Sequence, residues 1–334
     1  MKKVAIIGAG LQARRRVPAI MEDDQYEVTT IVDIDQKRAD EMASQFSASA
    51  TTEWQSVVTS SDIDAVVVLT FPDSHAEISI AAMEAGKDVL CEKPLALTVE
   101  QAKEMVAVAK KTGQILKCGF NHRHHPAIAE GHRLLKNGLI GKPLFGRSKY
   151  GIGGREGIDK EWRSDPTLAP GGQLVDQGIH VIDLYRWFLG DIVEATGMVA
   201  TNLWPIEPME DNGFGVIRSS DGVIASLHSS LTQWINVFEF EIYGETGSIT
   251  IRNLGGGYGT EKLIVSAHDP DGPFSYNTTE YRGGDSSWKE EWNEFTSAIE
   301  TRQQPLGNGV DGLKAMEVVD AIYESSKTKK TITL

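Results

Sequence analysis

The chain has only two cysteines, Cys91 and Cys118. Two cannot build a disulfide framework, and their spacing is not that of a metal site. Both lie in apolar runs that read as strands, so they are expected as buried thiols. Proline is scarce as well, at 12 residues beside 33 glycines in a chain of 334, which sets aside collagen-like and disordered classes. Apolar runs such as Ala65–Leu69 are far too short to span a bilayer. Basic side chains are outnumbered: 33 Lys and Arg against 47 Asp and Glu leave a net charge of −14. Such a surface repels nucleic acid and anionic membrane alike, and neither is an expected partner. Any phosphate must then be held locally, by backbone amides and a few placed cations. There is no internal repeat and no Gly-x-Ser-x-Gly elbow of a hydrolase, and Gly255–Thr260 lacks the Lys-Ser/Thr of a P-loop. That last segment reads as a mobile connection between strands.

What is present is a length suited to about two domains. The first third alternates short β-branched runs with helical patterns, which predicts βαβ units and a doubly wound parallel sheet. The runs are Val4–Ile7, Val28–Asp33, Ala65–Thr70, Asp88–Cys91 and Gln114–Gly119. Thr98 with Gln101 fits a capping box before the helix that carries Ala102, Met105, Val106 and Ala109. The texture changes after Asn121. A helix around Pro126–Asn137 leads to a glycine-rich stretch, Gly151–Gly154, and then to a helix over Gln173–Leu189. Beyond Val193 strands dominate; Phe238, Phe240 and Ile242 alternate with Glu239 and Glu241 before a turn at Glu245-Thr246-Gly247. This predicts an antiparallel sheet that is open, or used for subunit contact, on one face. Helical patterns around Trp288–Thr301 and Val310–Ser325 close the chain. The first strand begins almost at Met1, so no signal peptide is expected and the cytoplasm is the expected location.

Gly8-Ala9-Gly10-Leu11-Gln12-Ala13 follows a strand and opens a helix, the dinucleotide pattern in its alanine-ended form. Gly8 permits the tight turn, Gly10 lets the backbone approach a pyrophosphate, and the amides through Leu11 and Gln12 face the negative charge. Asp33 follows Ala13 by twenty residues at the end of the second strand, where a carboxylate accepts from a ribose 2′-hydroxyl. It repels a 2′-phosphate, so NAD is favoured over NADP. Asp35 is the alternative contact, and Lys37 and Arg38 lie near enough to blunt the preference. The Arg14-Arg15-Arg16 run reads as a solvated helix face.

Asp88–Cys91 ends in Glu92-Lys93-Pro94, at the carboxyl end of a parallel strand where open α/β sheets place their ligands. A lysine there can donate to a substrate hydroxyl and steady developing charge on its oxygen. On the helix from Pro170, Asp176, His180, Asp183 and Trp187 fall on one stripe at helical spacing among apolar neighbours. Buried polar groups are costly unless paired, and two carboxylates flanking a histidine can orient its ring and stabilise its protonated form. That is the equipment of a base that takes a proton from a carbinol. Asp183 reads equally as a supporting group. Arg155, Trp162 and Arg163 are candidates to hold an anion or stack on a sugar or nicotinamide face.

Gly8–Ala13, the Phe71-Pro72-Asp73-Ser74-His75 loop, Glu92-Lys93-Pro94, the Asn121/Arg123 region, Gly171–Asp183 and Tyr243–Ser248 together resemble the Gfo/Idh/MocA family of NAD(P)-dependent oxidoreductases. The resemblance covers essentially the whole chain. It implies an α/β protein with an N-terminal Rossmann domain (residues 1–121) and a C-terminal α/β domain with an open, mostly antiparallel sheet (122–334). The second is the substrate-binding and oligomerisation domain, with the last helix packing back on the first. Phe71, Pro72, His75, Glu92, Lys93 and Asn121 are then cofactor neighbours, and Arg123 is a substrate contact beside Lys93, Asp176 and His180. The expected function is NAD-dependent oxidation of a secondary hydroxyl of a sugar, polyol or nucleotide sugar. His180 is its base, Asp176 holds and tunes that base, and Lys93 polarises the hydroxyl. The alternatives are an NADPH-dependent reductase of a keto sugar or enone, and a non-catalytic sensor of the same fold; a homodimer or homotetramer through the open sheet face is expected. His122, His124, His125 and His132 lack a completing ligand set, because adjacent side chains point apart, and no metal is expected. Trp204, Trp234 and Trp292 read as core or subunit-contact residues.

Overall fold

Strands apolar on both faces need helices on both sides, and short connections then force the parallel doubly wound arrangement. A computed structural model describes residues 1–268, 272–273 and 275–334. The chain forms two units: residues 1–121 with 167–170 and 288–314, and residues 122–166 with 171–287 and 315–334. The first unit runs β1 (Lys2–Ile7), α1 (Leu11–Met21), β2 (Tyr26–Val32), α2 (Gln36–Phe46), β3 (Ser49–Thr51), α3 (Trp54–Val58), β4 (Ala65–Val68), α4 (Pro72–Glu84), β5 (Asp88–Cys91), α5 (Val99–Thr112) and β6 (Leu116–Cys118). Among the described residues its strands lie in the order β3-β2-β1-β4-β5-β6, all parallel. In this order the ligand crevice opens at the carboxyl ends of β1 and β4, where the direction of winding reverses. Val4–Ile6 and Val66–Val68 are fully buried, and so are both thiols. The capping box at Thr98 and Gln101 starts α5, and Gly113 in the left-handed region ends it. β3, a short Ser-Ala-Thr edge strand, was not among the expected runs.

The second unit opens with a 3₁₀ turn over Asn121–His124 and contains α6 (Pro126–Lys136), β7 (Pro143–Gly153) and a π-helical turn over Leu174–Gly178 that runs into α7 (Ile179–Leu189). It continues through β8 (Ile192–Ala200), β9 (Asn212–Ser219), β10 (Ile224–Ser230), β11 (Thr232–Gly244), β12 (Gly247–Arg252), β13 (Glu261–Ala267) and β14 (Ser275–Tyr281). After these come α8 (Ser287–Thr301), α9 (Gly309–Thr328) and β15 (Ile332–Thr333). The sheet order is β14-β13-β12-β11-β7-β10-β9-β8-β15, antiparallel throughout except for β10 beside β7. Phe238, Phe240 and Ile242 are buried, and Phe240 meets Tyr185 and Phe188 of α7. The glycine-rich stretch proves to be the end of the central strand β7. Glycine suits it because a Cβ at Gly151 would stand 2.8 Å from the Ser230 carbonyl oxygen, and earlier in the strand one at Gly146 would stand 2.8 Å from the Tyr185 ring.

α8 belongs to the first unit, where Trp292 and Phe295 join the core with Val4, Ile20 and Tyr26. The indole of Trp292 meets Tyr26 edge to face at 5.2 Å. Trp234, by contrast, is 69% exposed and is no core residue. Among the described residues no helix is long and apolar enough to cross a membrane.

Candidate functional site

The cofactor loop follows from two glycines with different reasons. Gly8 has φ +107°, and a Cβ there would stand 2.7 Å from the Leu69 backbone beyond β4, so only glycine fits between the ends of β1 and β4. Gly10 has φ −82° and nothing within 4 Å of an added Cβ; the space over it is open. As N-cap of α1, Gly10 brings no side chain to the first-turn amides, which remain available to an anion. Asp33 stands just past β2. Its Oδ2 accepts from the Ala9 amide at 2.8 Å and its Oδ1 from the Asp35 amide at 2.9 Å, so it braces the glycine loop. Asp35 caps α2, accepting from the Lys37 and Arg38 amides.

At the carboxyl end of β4, Phe71 is the N-cap of α4 and Pro72 its first residue. His75, 1% exposed, bridges two loops: Nδ1 lies 2.9 Å from the Pro94 carbonyl oxygen and Nε2 3.1 Å from that of Thr70. Burial holds its pKa below the ordinary histidine value. Beyond β5, the Glu92 Oε1 accepts from Arg16 Nε at 2.7 Å while Oε2 accepts from the Lys93 amide at 3.1 Å. Arg16 also pairs with Glu291 of α8. This corrects the reading of Arg14–Arg16 as a solvated face, because Arg16 is 3% exposed. It falls on the buried stripe of Ala13, Val17 and Ile20, a spacing that would have located it from sequence. Burial alone would lower the Arg16 pKa, but Glu291 and Glu92 outweigh it and keep the guanidinium charged. Glu291 moves the other way: burial raises it, against the pull of Arg16 and Lys117.

In the second unit, the 3₁₀ turn after β6 delivers two side chains. The His122 ring stacks on that of His180, with centroids 3.8 Å apart and planes 19° from parallel. Its Nε2 lies 3.1 Å from the Tyr150 hydroxyl. Arg123 makes a buried bidentate pair with Asp183, Nε at 2.8 Å and Nη2 at 2.6 Å, and lies over the Trp187 ring. Asp183 serves that pair, the supporting role its sequence position allowed. Asp176 is partly exposed and accepts from Arg163 Nε at 3.1 Å, and Arg163 in turn lies over the Trp162 ring at 4.4 Å. So Asp176, Arg163 and Trp162 are brought together, whereas the exposed Arg155 pairs with Glu161.

The helical segment departs from regular α geometry where this chemistry lies. Its π turn over Leu174–Gly178 carries Asp176, and α7 carries His180 and Asp183. Turns of this kind are common at functional sites, and one widens the repeat that a 3.6-residue reading assumes. The buried Glu210 secures its start, accepting from the amides of Gly172 (3.0 Å) and Leu174 (2.8 Å) and from the Tyr323 hydroxyl (2.9 Å). No local motif announced Glu210, His122 or Tyr150. Gly256–Tyr258, in the segment expected as a mobile connection, forms a 3₁₀ turn whose Tyr258 hydroxyl accepts from Gln177 at 3.2 Å.

Residues 2–120 match the family model described as oxidoreductase family, NAD-binding Rossmann fold, and residues 128–250 match the GFO/IDH/MocA C-terminal domain. The chain is 30% identical over 342 aligned residues, 98% of its length and 97% of the relative's, to a 1,5-anhydro-D-fructose reductase of Ensifer adhaerens. It belongs to the Gfo/Idh/MocA family. A D-apiose dehydrogenase of Paraburkholderia graminis is 25% identical over 99% of this chain and 89% of its own. Among solved structures of similar proteins, levoglucosan dehydrogenase in complex with NADH and levoglucosan superposes with a TM-score of 0.92 at 25% identity, covering 100% of this chain and 99% of that one.

The protein is thus a Gfo/Idh/MocA oxidoreductase with an NAD-binding Rossmann domain, as its sequence resemblance implied. Its own residues fit the dinucleotide. The open space over Gly10 admits a pyrophosphate that a Cβ would crowd, and the uncapped start of α1 offers amides to it. The side-chain oxygen of Gln12 is buried with no hydrogen-bond partner among the described residues, a polar group that a ligand can satisfy.

Proposed function

We propose that this protein oxidises a secondary hydroxyl of a sugar, polyol or nucleotide sugar to the ketone, with NAD as acceptor. The observation that carries the reading is the 30% identity, over nearly the full length of both chains, to a relative named as a sugar reductase. When bound, NAD supplies the hydride acceptor. Amides from Gly8 to Gln12 hold the pyrophosphate and Asp33 the ribose, its charge repelling a 2′-phosphate. Phe71, Pro72, His75, Glu92 and Asn121 shape the remainder of the cofactor surface. The neutral His180 imidazole accepts the hydroxyl proton, and the Lys93 ammonium donates to the same oxygen as it gains charge. Asp176, with Arg163 and Trp162, lines the substrate side. Reduction of a keto sugar is the second reading, favoured by the reductase name of the Ensifer relative.

The same proposal includes self-association through the open face of the large sheet, where Met198, Phe214, Val216, Ile224 and Phe145 are exposed on adjoining strands. It also places the protein in the cytoplasm, where two free buried thiols stay reduced. The test is a turnover screen that follows NADH absorbance across polyols, aldoses, anhydrosugars and UDP-sugars. NAD-dependent turnover of at least one is expected. Binding of NADH with no turnover of any substrate, in either direction and with either nucleotide, would leave the non-catalytic sensor instead.

A further inference from the structure

We propose that His122 is a positioning residue for His180: stacked on that ring and tied to the Tyr150 hydroxyl, it fixes the plane of the base and opposes a second proton on the pair. This inference rests on the reading of His180 as the base.

The geometry supplies both halves. The two rings lie 3.8 Å apart and 19° from parallel, so His122 stacks on one face of His180. His122 cannot swing away, because it is held on several sides. Its Nε2 reaches the Tyr150 hydroxyl at 3.1 Å, and its ring meets His125 at 5.5 Å and Phe238 at 5.9 Å, both edge to face. Tyr150 stands on β7 and Phe238 on β11, so the large sheet sets where the imidazole lies. The Phe238 and Tyr258 rings pack in turn against Tyr150.

The electrostatics follow from the surroundings. The charged and titratable groups around the pair in this unit include Arg123 with Asp183, Arg163 with Asp176, and His125 with Glu261, besides Tyr150 and Tyr258. Two imidazolium charges at the stacking distance repel enough to part their titrations by about one pH unit even with the screening of bulk water. The pair therefore takes a first proton more readily than a second. A single imidazolium, formed when His180 takes the proton, lies on the π face of a neutral ring, which favours it. A carbocyclic ring at position 122 would preserve the wall and abolish the repulsion.

The experiment is a histidine-ring NMR titration of the full chain, which needs no substrate. In the wild type, the His122 and His180 curves are expected to be coupled, each bending where the other titrates. In His122→Phe, the His180 curve should become a simple one, its later step gone and its midpoint raised by about one pH unit. In Tyr150→Phe, the His122 signal should shift while the two curves stay coupled. Independent single curves in the wild type would overturn the proposal, whatever the variants do. So would a His180 curve unchanged in folded His122→Phe. Either failure leaves His180 free to be the base, whereas normal turnover of His180→Ala would remove that role without touching the titration.

Discussion

Replacing Arg16 with methionine keeps side-chain length but takes the cation out of a buried triad. Arg16 is 3% exposed at its side chain, Glu92 7% and Glu291 0%, so neither carboxylate can turn to water without moving α1, α8 or the Lys93 turn. Breaking a buried pair by removing one partner costs about 3–5 kcal/mol, because the other charge is left uncompensated. At about 2–4 °C per kcal/mol, the unfolding midpoint should fall by roughly 10 °C at pH 8. The deficit has a predictable pH dependence. Burial already raises Glu291 with Arg16 in place, and removing the cation takes away the pull that opposes this rise. A carboxylate raised in the folded state contributes stability below its unfolded pKa and loses it as pH climbs through the folded value. The variant should therefore recover part of its loss between pH 8 and pH 5, and Arg16→Met combined with Glu291→Gln should recover part of it at pH 8 as well. Thermal unfolding followed through Trp288 and Trp292 on α8 reads the effect. Wild-type stability at pH 8, or a deficit equal at both pH values, would refute the view that these three side chains form one buried charge network.

Four other outcomes follow from the same geometry. Gly10→Ala should fold with wild-type stability, since nothing lies within 4 Å of the new Cβ, yet bind NADH about tenfold more weakly by fluorescence titration; Gly8→Ala should lose about 1–3 kcal/mol of stability to its positive φ and the Leu69 backbone. Asp33→Asn gives up a charge-assisted bond to the Ala9 amide as well as the ribose contact, so NAD should bind roughly 10–100-fold more weakly while NADP loses less. Phe214→Glu, in the exposed apolar row, should lower the oligomeric mass measured by light scattering without changing the thermal midpoint by more than about 2 °C.

The first unit was legible because its strands are buried on both faces and so appear as unbroken apolar runs between helix signals. The capping box at Thr98 and the glycine loop after β1 are local devices, readable wherever they stand. What escaped depends on partners distant in sequence. β3 is polar because it is an edge, and the end of β7 carries glycine where Ser230 and Gln233 crowd Gly151, which made a central strand look like a loop. Arg16 was read as one of a run of charges, although its spacing from Ala13 and Ile20 put it on the buried face of α1. The histidines after Asn121 were set aside on the ground that adjacent side chains diverge. A 3₁₀ turn instead returns His122 and His125 to ring contact, three residues apart. Helical spacing aligned Asp176 with His180, but the wider π turn had no sequence signature, and Arg163 and Arg123 claim the two flanking carboxylates.

The role of His180 decides the account. The direct measurement is single-turnover hydride transfer by His180→Ala, with NAD and the best substrate of the screen, alongside its NADH affinity. Loss of a general base predicts a rate lower by roughly 10²–10⁴-fold, with NADH affinity within about twofold of wild type. A His180→Ala enzyme that transfers hydride at the wild-type rate would contradict the assignment of the base.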